Sequence, residues 1–135
     1  MINVWRSAGA VVVVVATGLG SPAEAFDLTG AWASAPELCG LVFTKKGTQV
    51  DFAELSDLYG SGFIVDGSRI RGKAARCTIK SRKDSGDQIS LAASCATTIM
   101  TSDVQFSLKV NGDDNITRQI PEMMNMSLNY SRCKL

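Results

Sequence analysis

From Phe26 onward apolar and polar side chains alternate, and this period of two fits strands rather than helices. The clearest stretch is Val104-Gln105-Phe106-Ser107-Leu108-Lys109-Val110, apolar on one face only. Asn111-Gly112-Asp113-Asp114 then supplies turn residues before residues 115–120 return. A turn near Asp113 sets Val110 opposite Ile116 and Phe106 opposite Ile120. Asp66-Gly67 marks a second hairpin, between residues 63–65 and 69–71. A third joins residues 77–81 to 89–95 through the polar residues 83–87. Centring it on Gly86 places Ile79 opposite Ala93 and Cys77 opposite Cys95. Residues 30–34 and 41–44 bracket a turn at Pro36, and residues 124–132 alternate after Pro121. Residues 50–59 fit either a short helix, with Phe52, Leu55 and Tyr59 on one side, or a strand plus a loop. Short strands at this spacing predict an all-β chain: a single antiparallel up-and-down β-barrel, or barrel-like sandwich, of about 7–8 strands.

The first 25 residues break the pattern and read as an export signal. Arg6 gives a basic start, residues 8–19 form an apolar run, and Ala23-Glu24-Ala25 follows Ser21-Pro22 as a small-x-small cleavage site. A dozen helical residues reach about 18 Å, short of the ~30 Å hydrocarbon layer, so the run predicts a cleaved signal and not a membrane span. No cysteine sits at the cleavage point to carry a lipid. Cleavage after Ala25 predicts a periplasmic or extracellular protein. Removing 25 of the 135 residues leaves one domain of 110, residues 26–135.

Export gives the cysteines their meaning. In an oxidising compartment Cys39, Cys77, Cys95 and Cys133 predict two disulfides; zinc ligands come in close pairs that are missing here. Of the three possible pairings, the third hairpin favours Cys77–Cys95, because Cα atoms directly opposite in an antiparallel pair lie ~4.5–5.5 Å apart. Cys39–Cys133 is left, tying the first strand region to the last, as closure of a barrel requires.

Gly30-Ala31-Trp32 on the first strand and Arg132 on the last resemble the signature of the calycin superfamily, which holds lipocalins, avidins, fatty-acid-binding proteins and small bacterial metalloprotease inhibitors. The run Tyr130 to Cys133 is also similar to small exported bacterial proteins. The resemblance implies that Trp32 plugs the closed end of the barrel while Arg132 packs on the indole, a cation–π contact worth ~1–2 kcal/mol when partly desolvated. It implies either a carrier of a small apolar or amphipathic ligand or a protease-inhibitor-like protein. In the mature chain only residues 26–29 precede Gly30, whereas the inhibitors carry a longer N-terminal strand.

Candidate binding residues fall into two groups. Arg69, Arg71, Lys73, Arg76, Lys80, Arg82 and Lys83 place seven of the chain's 14 cations within residues 69–83. Arg76, Lys80 and Arg82 share the face opposite Cys77 and Ile79, so they are expected in solvent. There they form either an ordinary charged sheet face that resists edge pairing or a contact for an envelope protein, an anionic lipid or a glycan. Arg118 stands apart: alternating with Ile116 and Ile120, it shares the inward face. It must pair, reach the barrel mouth, or hold a ligand carboxylate. Asp51, Glu54 and Asp57, spaced by three, read as a solvated edge, and Asp113-Asp114-Asn115 as a turn. Met123, Met124 and Met126 are expected to fill core.

Composition closes other routes. A net charge of +1, with no aromatic residue among the clustered cations, argues against nucleic acid. The chain has no histidine, no paired metal ligands, and no serine in a recognisable nucleophile motif, so neither catalysis, cofactor nor metal is expected. The sequence predicts a monomeric, non-enzymatic binding module, engaging either a protein or anionic envelope surface through its basic hairpin, or a small ligand within its barrel.

Overall fold

A computed structural model describes residues 9–15, 18 and 24–135. Arg6 and residues 21–23, on which the export signal rests, lie outside the described residues. The strands are β1 (Gly30–Ala33), β2 (Phe43–Lys46), β3 (Gln49–Phe52), β4 (Gly62–Asp66), β5 (Arg69–Arg71), β6 (Arg76–Ser85), β7 (Gln88–Ala96), β8 (Thr101–Gly112), β9 (Asn115–Ile120) and β10 (Met126–Arg132). Eight close an antiparallel barrel in the order β1-β10-β9-β8-β7-β6-β5-β4, with β1 pairing to both β10 and β4. The all-β barrel read from the alternation is therefore the fold observed.

The hairpin registers follow from the turns. Val110 lies opposite Ile116 in the expected register, and the ladder ends at Ser107–Gln119, one step short of Phe106 and Ile120; on the other side of β8, Phe106 lies opposite Leu91. Cys77 lies opposite Cys95 and Ile79 opposite Ala93, and both expected disulfides are present, Cys77–Cys95 and Cys39–Cys133. The β6–β7 turn is tighter than expected, however, with Ser85 opposite Gln88. Lys80 is an extra residue between Ile79 and Ser81, and it restores the register at the cysteines. Below this bulge the faces of β6 exchange, because a one-residue slip turns every later side chain over.

Two expectations about the N-terminal third are corrected. β1 does not return as a hairpin through Pro36. Residues 34–61 leave the barrel, form a 3-10 turn (Pro36–Leu38) and a single α turn (Cys39–Val42), and pair β2 with β3 alone. Residues 50–59 take the second of their two expected forms, the end of β3 followed by a loop with a 3-10 turn (Ser56–Tyr59). Consequently Cys39–Cys133 does not close the barrel; hydrogen bonding of β1 does that. The disulfide fastens the excursion to the chain just after β10.

The excursion covers one flank of the barrel and creates a second core. Ala31, Ala33 and Ile64 face outward from β1 and β4 and bury against Val42 and Phe43, with Val50 and Phe52 beside them. Gly62 permits the approach: a Cβ there would lie 2.9 Å from both the Phe43 ring and the Trp32 carbonyl. The main core fills the lower barrel with Trp32, Val65, Ile89, Leu91, Ile116 and Tyr130.

Candidate functional site

The barrel interior has a sealed end and a hollow end. Trp32 is fully buried at the sealed end, and its Nε1 donates to the Leu28 carbonyl at 2.9 Å. Phe63 stacks on the indole and in turn meets Tyr130 edge-on at 4.9 Å. Arg132, opposite Trp32 in the register, places its guanidinium 4.5 Å from the indole ring and 5.5 Å from the Phe26 ring. Its Nε donates to Asp114 at 3.1 Å, Nη2 donates to the Asp27 and Asp113 carbonyls at 2.7 and 3.1 Å, and Nη1 donates to the Thr29 carbonyl. Every nitrogen of this guanidinium has an acceptor. Gly30 beside it has a φ of +136°, a conformation that favours glycine, and a Cβ there would lie 3.4 Å from the Arg132 stem.

Arg82 is exposed, as expected, but it reaches the sealed end from the other face of β6. Beyond the Lys80 bulge it stands opposite Leu91, which is buried in the core, so its side chain turns beneath the barrel. Nη2 donates to the Phe26 carbonyl at 2.6 Å, and Nε and Nη2 grip Asp84 at 2.7 and 3.0 Å. These hydrogen bonds hold the Asp84 carboxyl below its ordinary range.

Above the seal lies a cavity of about 260 Å³. Its wall is apolar, formed by Ile70, Leu91, Phe106, Leu108, Leu128 and Tyr130, and the Cys77 half of one disulfide borders it. Ser61, Gly62, Gly72 and Ala75 carry the lining out to loops at the upper end. At ~30 Å³ for each water-sized group, the space takes about eight or nine such groups, and an apolar cavity of ~150 Å³ already holds a benzene ring.

One charge lines this cavity. Arg118 is flanked across the sheet by Leu108 and Leu128, and its guanidinium lies 4.7 Å from the Phe106 ring. Among the described residues it has no carboxylate partner, and its Nε is buried without a hydrogen-bond acceptor. A buried donor without an acceptor costs roughly 1–3 kcal/mol, more when charged. Supplying an acceptor in the cavity recovers that loss.

The basic residues do not all converge on one site. Arg71 donates to the Val50 carbonyl at 2.9 Å and lies 3.6 Å from Asp51, holding the β2–β3 hairpin to the barrel. Lys73 pairs with Asp57 at 2.6 Å, and this bond lowers the Asp57 pKa. Arg82 is in the seal. Arg69, Arg71 and Arg76 border one cleft between the hairpin and the barrel wall, while Lys80 and Lys83 lie exposed further along β6. The three methionines also depart from expectation: Met123, Met124 and Met126 are exposed by 58%, 97% and 41%, because residues 121–125 form a tight turn at the rim with Met124 and Asn125 in the left-handed region.

Among the described residues no group of histidine, cysteine or acidic side chains could hold a metal ion, and no helix is long and apolar enough to cross a membrane. No protein-family model, curated protein or solved structure matches the chain.

Proposed function

We propose that this chain is an exported, non-enzymatic binding protein, a calycin-like carrier that takes the apolar body of a small anionic amphiphile into its barrel and holds the headgroup on Arg118. The observation that carries the reading is the buried Arg118 Nε, without an acceptor, beside an otherwise apolar cavity. A guanidinium offers a carboxylate two parallel hydrogen bonds, and the low local dielectric strengthens both. The cavity volume fits a body of about eight or nine heavy atoms. Export of the mature domain 26–135 is supported by the signal-like residues 1–25 and by two formed disulfides. The protein acts as a monomer and without a cofactor. Recognition of an envelope protein, anionic lipid or glycan through the basic strands has weaker support, because Arg71, Lys73 and Arg82 are already paired within the chain.

Calorimetric titration with octanoate and with octanol tests the reading. Octanoate is expected to bind, and octanol to bind more weakly by about tenfold or more, since a hydrogen bond to a charged group is worth ~1.5–3 kcal/mol. Arg118→Gln is expected to abolish that preference. Equal affinity for acid and alcohol in the wild type, or an unaltered preference in the variant, contradicts the assignment.

A further inference from the structure

The two ends of the barrel differ in surface chemistry. Within residues 26–135 ten large apolar side chains are exposed, and eight belong to three segments at the upper end. They are Leu55, Leu58 and Tyr59 before β4; Ile99 and Met100 between β7 and β8; and Met123 and Met124 between β9 and β10, with Met126 at the start of β10. The opposite end has only polar turns, at Asp66-Gly67, Gly86-Asp87 and Asp113-Asp114. An apolar concentration of this kind marks an interaction site. Unbranched methionines at a rim suit a partner without fixed shape, and Tyr59 has the amphipathic ring favoured at a membrane–water boundary.

Charge selects the partner. The upper-end loops carry Glu54, Asp57 and Glu122 against Lys73 alone, and Lys73 is paired with Asp57. Counting Arg71 and Arg76 at the adjoining strand ends, the rim has no excess of positive charge to attract anionic headgroups. The cavity lining reaches the surface at this same end, through Gly72 and Ala75.

We propose that the upper end docks on a neutral, zwitterionic lipid bilayer by inserting these loop tips, so that the amphiphile passes between membrane and cavity without crossing water. This rests on the carrier reading for its cargo, while the docking itself rests on the rim alone.

Flotation with phosphatidylcholine vesicles tests it, using the protein as the cell processes it, with wild type and variants sharing one N-terminus. The wild type is expected to float at about 0.5 M salt, where charge attraction is screened, and adding phosphatidylglycerol is not expected to strengthen binding. Ile99→Ser with Met124→Asn removes two exposed side chains, and asparagine tolerates the left-handed backbone of Met124. The double variant is expected to lower the partition coefficient by about tenfold or more, while Leu135→Ser leaves it unchanged. Absence of flotation, an unaffected double variant, binding that requires phosphatidylglycerol and vanishes in salt, or a dimer that shields Ile99 and Met124 each overturns the proposal. Octanoate titration separates the two readings: a wild type that takes up octanoate but does not float removes docking and leaves the carrier standing, and the double variant is expected to keep its uptake.

Discussion

Arg132 and Arg118 both lean into one barrel, yet the fold treats them in opposite ways. Arg132 has an acceptor for each guanidinium nitrogen and two aromatic rings against its face. Arg118 has one ring and an orphaned Nε. A cation that closes a core is held in place when the chain itself supplies its acceptors. A cation satisfied by a ligand is left incomplete by the chain alone. The contrast separates an end whose cation is fully satisfied by the chain from the end where we propose that a ligand binds.

The contrast breaks if stability is not concentrated at the sealed end. Trp32→Ala should cost about 3–5 kcal/mol in urea denaturation, the range for deleting a fully buried aromatic side chain. Arg132→Gln should cost about 2–4 kcal/mol, since it strands the Asp27, Thr29 and Asp113 carbonyls and removes the cation–π contact. Arg118→Gln should change stability by less than about 1 kcal/mol in either direction, because losing its cation–π contact with Phe106 is offset by removing a buried donor that has no acceptor. Comparable losses at Arg132 and Arg118 would erase the distinction between them.

The seal should also respond to acid. The Arg82 hydrogen bonds depress the Asp84 pKa in the folded state, so their contribution is fully present above the unfolded carboxylate range, near pH 4. It is lost as pH falls through the depressed value. Wild type and Asp84→Asn should therefore differ most at neutral pH and converge on acidification, as read by thermal unfolding across pH. The smallest effect should come from Lys80→Glu and Lys83→Glu, within about 0.5 kcal/mol, as neither side chain has a partner among the described residues.

How far the chain could be read before its structure depended on how local the determining contacts were. The hairpins with Asp66-Gly67 and Asn111-Gly112 carry their register in the turn itself, whereas Cys77 meets Cys95 because the Lys80 bulge offsets a β6–β7 turn tighter than the spacing predicts. The partners of β1 are not local: Trp32 lies between Phe63 and Arg132, a choice that no spacing near residue 32 encodes. The β2–β3 hairpin was hidden because its apolar face covers the outside of the barrel and so alternates like a barrel strand. Arg82 was assigned to the wrong face because the Lys80 bulge carries no mark in the sequence. The methionines were misread because apolarity alone cannot distinguish core from rim. Arg118, by contrast, was legible: parity with Ile116 put it inside, though its missing acceptor needed coordinates.

The most direct measurement is the nitrogen-15 NMR signal of the Arg118 Nε–H group, followed as octanoate is added. The account predicts a weakly hydrogen-bonded signal in the free protein that shifts downfield and gains protection from exchange with ligand, while the Arg132 Nε–H stays fixed. A signal already protected in the free protein, or one indifferent to octanoate, would contradict it.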